Sequence, residues 1–223
     1  MTDYEKYWEG QTSPLHRRND SDAYHLYGSE LRLVLLHEGA SIEGRVLEVG
    51  CGNGALFSGM AIDPERYVGV DVSDSMLSEF RITHPELELS VCNAANTLPD
   101  GPFDLIFGNA VHQHMSRQQL ATHLALCRER LVPGGKVVLF NVPWRRLRGA
   151  TITGELRHPL KLVSSIRRLA RGLSYQIQTK ILRKRDSVGF YYQPDEILKM
   201  TDFEAGTVYG SLFYPYRFTL ALG

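Results

Sequence analysis

Residues 46–54 read VLEVGCGNG, an apolar run that carries one acid and then breaks into glycines at alternate positions. Val46, Leu47 and Val49 suit a strand buried on both faces, as parallel strands in α/β folds are. Gly50, Gly52 and Gly54 tolerate positive φ and remove every Cβ that would hold a bound molecule off the backbone. A strand therefore enters a tight, ligand-cradling turn, which confines the chain to the α/β class with its site at a strand's carboxyl end. Glu48 stands just before the turn. A carboxylate there suits a cationic or amine-bearing ligand and repels a pyrophosphate.

The rest of the chain repeats the pattern. Apolar spacing predicts a helix over 22–38, ending near Gly39. Alternation follows: strand 45–50, helix 54–61, strand 66–71, helix 74–82 capped by Ser73, strands 87–92 and 103–108, and helix 116–131 with Ser116 as N-cap. A fifth strand over 136–142 follows LVPGG and is stopped by Pro143. Such alternation calls for a parallel sheet with helices on both faces. Further on, Pro194 with Asp195 and Glu196 opens a short helix, and apolar stretches 203–209 and 214–222 close the chain as strands.

Gly50, Gly52 and Ala55 also satisfy G-x-G-x-x-A, a dinucleotide pattern, and Asp71 lies about twenty residues on, where either kind of site uses a carboxylate to accept from ribose hydroxyls. Glu48 and three later stretches separate the two readings: CNAANTLP, FDLIFGNAVHQHM and LVPGG, in that order. Together these resemble the class I S-adenosylmethionine (SAM)-dependent methyltransferases, nearest the bacterial group that includes the ubiquinone and menaquinone biosynthesis enzymes. The resemblance covers roughly residues 27–143 well and the two ends loosely.

That resemblance implies a Rossmann-like fold, a seven-stranded and mostly parallel sheet whose last strand is antiparallel and sits between the fifth and sixth. It implies SAM as cofactor, S-adenosylhomocysteine (SAH) as product, and no metal. Carried over residue by residue, Glu48 with Gly50, Cys51, Gly52 and Gly54 holds the methionine end, by way of the glycine loop or the amino group. Asp71 and Val72 hold the ribose, Asn93 and Ala94 face the adenine, and Asn109 lies beside the reactive methyl. The family more often has Asp where this chain has Asn93, which still accepts through its side-chain oxygen. The alternatives are a non-catalytic SAM-binding protein, a NAD-type oxidoreductase and an RNA methyltransferase.

Transfer to a hydroxyl needs a base, and His has a suitable unperturbed pKa. The loop VHQHM offers His112 and His114. Against the family's V-L-H-H pattern, His114 matches the last His, while His112 stands in the Leu position. The plainer reading of either is packing at a helix entrance. Tyr7, Trp8, Tyr24, Tyr27, Tyr191 and Tyr192 are the aromatics placed to reach the mouth, with Tyr24 and Tyr191 as candidate substrate contacts.

With 223 residues and 43% hydrophobic content the chain supports one domain in four regions: 1–40 a lid and helix, 41–143 the cofactor-binding core, 144–190 a basic cap insertion, and 191–223 a closing helix and strands. Residues 1–20 are polar and aromatic and no apolar run nears 18 residues, so a cytoplasmic location is expected. Cys51, Cys92 and Cys127 have neither zinc-site spacing nor the number for a disulfide framework, and Cys51 reads as packing.

Charge is balanced overall at 25 basic and 25 acidic residues, yet residues 145–186 hold 12 of the basic and 2 of the acidic ones, leaving 13 against 23 elsewhere. Within them, apolar positions 156, 160, 163, 166, 169, 173, 177 and 181 step by three or four, as in an amphipathic helix. Three readings stay open: a solvated cap over the site, a surface in which Arg167, Arg168 and Arg171 meet an anionic acceptor or anionic membrane, and a nucleic-acid contact, which the acidic remainder opposes. The expected acceptor is a small molecule or a glycan- or lipid-linked intermediate, methylated at oxygen.

Overall fold

The computed structural model describes residues 21–149, 189–211, 214 and 216–223. The cap helix expected around Arg167, Arg168 and Arg171, and the aromatic segment with Tyr7 and Trp8, lie outside the described residues. The elements run α1 (Ser21–His37), β1 (Val46–Val49), α2 (Phe57–Met60), β2 (Tyr67–Asp71), α3 (Asp74–Thr83), β3 (Glu88–Val91), β4 (Phe103–Asn109), α4 (Arg117–Arg130), β5 (Leu131–Pro143), α5 (Pro194–Leu198), β6 (Gly206–Gly210) and β7 (Arg217–Leu222).

The seven strands form one sheet in the order β3-β2-β1-β4-β5-β7-β6. β1 to β5 pair in parallel, and β7 is antiparallel to both neighbours. The order reverses at β1, so the carboxyl ends of β1, β2 and β4 frame a crevice. Leu47 and Val49 pack on one face with Leu120, Leu124 and Cys127 of α4. Val46 turns to the other face, among Leu31 and Leu35 of α1, Met60 of α2 and Phe80 of α3. The period-two alternation of a strand produces this division, and helices cover both faces as expected.

Several elements differ from the spacing; β7, expected from 214, starts at Arg217. The helix expected over 54–61 shrinks to four residues, because Gly54 (φ 78°) and Ala61 (φ 49°) bracket it with left-handed backbone. β5 starts early, at Leu131, which pairs with Phe103 before a register shift. β6 starts at Gly206, three residues late, because Phe203 is buried in the loop before it. Ser73 and Ser116 cap α3 and α4 as expected, and at Ser116 Gln119 completes a reciprocal capping box.

Candidate functional site

Four loops meet at a cleft over the carboxyl edge. Its lining includes Val49 and Gly50 after β1, Asp71 and Val72 after β2, Cys92 to Ala95 after β3, Val111, His114 and Met115 after β4, and Gln119 and Phe190.

The glycine turn is built inward. The N–H groups of Gly50 and Cys51 donate to the Val70 carbonyl at 2.7 and 3.1 Å, and that of Gly52 to Asp71 Oδ2 at 2.9 Å. A pyrophosphate site presents such amides to its ligand at the start of a long helix. Here they are consumed, and α2 has only four residues. The glycines answer to packing as well as to φ: a Cβ at Gly50 (φ 72°) would lie 2.9 Å from Val111, and one at Gly54 only 2.1 Å from the Phe80 ring. Their first duty is thus to close the turn against its neighbours, and only Gly50 of the three borders the cleft.

Asp71 has two roles. While Oδ2 holds Gly52, Oδ1 accepts from Ser73 N–H at 2.9 Å, and the carboxylate still borders the cleft. Burial raises its pKa, opposed by those amide bonds. Asn93 Oδ1 accepts from Ala95 N–H at 3.1 Å, which folds the loop so that Asn93 and Ala94 form the cleft wall.

Glu48 lies elsewhere. Strand alternation sends its side chain to the α1 face, where it is buried and accepts from the Tyr67 hydroxyl at 2.6 Å. Burial first, with Asp71 adding, pushes its pKa up to about 8. The carboxyl thus supports the turn from below, whereas the carboxylate that binds the glycine loop is Asp71. Cys51 is buried beside it with its thiol pKa raised by burial.

The two histidines separate. They sit in a 3-10 turn, His112–His114, where about 120° per residue puts positions two apart on different sides. His114 borders the cleft, its Nε2 3.0 Å from Gln113 Nε2. His112 is 1% exposed and neither ring nitrogen has a hydrogen-bond partner. Burial, then His123, holds its pKa well below the usual value. His112 therefore corrects the expectation of a second base: it packs beneath the floor, 5.3 Å from the His123 ring, and His123 in turn contacts the Ala94 carbonyl at 2.8 Å.

Other assignments shift too. Asn109 turns to the α1 face, where its Oδ1 accepts from the Tyr27 hydroxyl at 2.8 Å and from Asn141 Nδ2 at 2.6 Å. Tyr24 is half-buried near Tyr214, its hydroxyl shielded and without a hydrogen-bond partner. Tyr191 is buried with Arg148 over its ring, and the residue that reaches the cleft is its neighbour Phe190. Phe190 is held by its N–H donating to the Gln113 carbonyl at 2.7 Å, a contact close enough to require Gly189. Phe190 and Gln119 escaped sequence reasoning. The Ser116-x-x-Gln119 capping-box spacing places Gln119 in the first turn of α4 but does not mark it for the cleft, and nothing local marks Phe190.

This sheet order, with a cleft joining a glycine turn to an acid after the second strand, defines the architecture of the class I methyltransferases. Residues 46–135 match the family model described as a methyltransferase domain. A ubiquinone biosynthesis O-methyltransferase of Nitrosococcus oceani is 32% identical over 142 residues, 59% of this chain and 55% of that protein. The same-named protein of Photorhabdus laumondii is 24% identical over 203 residues, 85% of this chain and 80% of its own length. The chain thus spans just over half the length of the first of these relatives. In fold, the SAM-bound magnesium protoporphyrin IX methyltransferase of Synechocystis superposes with a TM-score of 0.60 at 13% identity, covering 98% of this chain and 94% of that one.

Proposed function

We propose that the protein transfers the methyl group of SAM to an oxygen of a small-molecule acceptor. The observation that carries this reading is the convergence of Gly50, Asp71, Ala94 and His114, from four separate loops, on one cleft. The two relatives named as O-methyltransferases support the choice of oxygen.

When bound, SAM supplies a methyl group on a sulfonium, an electrophile that needs no further activation. The protein's share is to position and to handle one proton. Asp71 accepts the ribose hydroxyls with the lone pairs that Gly52 and Ser73 leave open. Asn93 and Ala94 present the wall against which the adenine lies. In-line placement of acceptor oxygen and methyl supplies most of the acceleration. His114, on the acceptor side of the cleft, takes the hydroxyl proton as the new O–CH3 bond forms and the C–S bond breaks.

The test is SAH production from SAM in the presence of hydroxylated small molecules: catechols, hydroxybenzoates and sugars. Acceptor-dependent SAH supports the proposal. A protein that binds SAH tightly yet yields none across the panel is a SAM-binding protein instead.

A further inference from the structure

A second polar group stands at the same sheet edge, on the α1 face and outside the residues that line the cleft. β7 runs antiparallel, so its first residue, Arg217, lies across from Pro143 at the carboxyl end of β5, and Asn109 of β4 pairs with Phe140. Arg217 is thus two strands, roughly 10 Å, from β4. Between them β5 bulges: the register shifts between Leu139 and Val142, and Asn141 takes φ 55°. Bulges of this kind re-aim a side chain beside a site. Here Asn141 Nδ2 turns to Asn109, while the Asn141 carbonyl accepts from Arg217 Nη1 at 2.7 Å.

The group has more polar capacity than the protein satisfies. Arg217 Nε and Asn141 Oδ1 are shielded from solvent with no hydrogen-bond partner, and so is the Tyr24 hydroxyl beside Tyr214. The Arg217 guanidinium lies 5.6 Å from the Tyr214 ring centroid, and among the described residues it has no acidic partner. Buried polar groups in folded proteins are met by protein, water or ligand. With Nη1 occupied by the Asn141 carbonyl, the Nε and Nη2 edge is the one left to receive a planar anion.

We propose that Arg217 binds a carboxylate of the methyl acceptor, with Asn141 and Tyr24 taking up its neighbouring polar groups; the inference rests on the methyltransferase reading of the cleft. A guanidinium edge matches a carboxylate in shape and in charge, one donor pair for two oxygens. A phosphate dianion calls for more than one cation, and Arg217 is the cation this group contains. The Tyr27 and Tyr214 rings lie 5.9 Å apart beside Tyr24, and an aromatic neighbourhood favours a flat apolar body between the carboxylate and the hydroxyl that is methylated.

Calorimetry on the SAH-saturated protein tests this with two probes that differ only in the carboxylate, 3,4-dihydroxybenzoate and catechol. The parent should bind dihydroxybenzoate at least tenfold tighter than catechol. Arg217→Gln should bring dihydroxybenzoate to the catechol level with catechol unchanged, Arg217→Lys should fall between, and SAH affinity should stay constant in all three, which a merely structural role for Arg217 does not produce. Equal binding of the two probes, no binding of the carboxylate probe, or full affinity in Arg217→Gln overturns the inference while the methyltransferase reading stands. Failure of the parent to bind SAH overturns both.

Discussion

Asp71 Oδ2 accepts the N–H of Gly52 at 2.9 Å, so the carboxylate assigned to the ribose is also the one that closes the glycine turn. Cofactor affinity and the shape of the loop therefore depend on the same side chain. Asp71→Ala should weaken SAH binding by a few kcal/mol, about 1.5–3 for each ribose bond to a charged acceptor. It should also lower stability, since the Gly52 and Ser73 amides lose their acceptor. Asp71→Asn keeps one acceptor oxygen and should recover stability more than affinity. Calorimetry beside thermal denaturation separates the two effects; unchanged SAH affinity in Asp71→Ala would place the ribose elsewhere.

Glu48 links the fold to pH. Its folded pKa, about 8, lies above the ordinary 4.5 because burial disfavours the charge. Between those values the folded state holds a proton that the unfolded state has lost, so the stability this group contributes is full below about 4.5 and declines as pH rises toward 8. Glu48→Gln has no such proton to lose. Denaturant titrations should show the parent's advantage over Glu48→Gln shrinking steadily from pH 5 to 8, and a constant difference would show that Glu48 is ionised in the fold.

The histidine pair predicts two different phenotypes. His114→Ala should lower kcat by roughly 10² to 10⁴, as loss of a general base does, with SAH affinity nearly unchanged. His112→Phe keeps a ring in the core and removes two nitrogens that have no partner, so it should be close to neutral or stabilising and remain active. Steady-state kinetics with melting curves decides between them. If His112→Phe is inactive and His114→Ala is not, the two roles are exchanged.

The succession of strands along the chain was legible because its signals are local. The apolar runs of β1, β2 and β4 end at Gly50, Asp71 and Asn109, whereas the place of β7 in the sheet and its antiparallel course followed from the resemblance alone. The site was legible only where it consists of loop residues next to strand ends, such as Gly50, Asp71 and Asn93. Glu48 and Val49 are adjacent in sequence yet face opposite sides of the sheet, and His112 and His114 diverge within one tight turn. Which member of each pair meets the cleft is a matter of rotation about the chain that spacing does not report. Asn141 and Arg217 meet through an antiparallel pairing 76 residues apart in sequence, and neither is set in a motif. Phe190 enters through a tertiary contact with the Gln113 carbonyl.

The basic stretch makes a prediction of its own. Arg167, Arg168 and Arg171 replaced together by Gln should leave folding and SAH affinity intact, because none of the residues expected to hold the cofactor falls there. Acceptor KM should rise, and should be more salt-sensitive in the parent than in the variant, since exposed charges are screened over about 10 Å at 0.1 M salt. Binding of the parent to anionic but not neutral vesicles identifies a membrane surface as the partner. Unchanged KM and no vesicle binding reduce the stretch to a solvated cap.

A glycine turn with its amides turned inward and Asp71 at the end of β2 fit SAM and not a dinucleotide. Titration calorimetry of the purified protein with SAH and, separately, with NAD tests it most directly. Saturable one-to-one binding of SAH is expected, lost or sharply weakened in Asp71→Ala, with no heat of binding from NAD. Saturable binding of NAD with no response to SAH would contradict it.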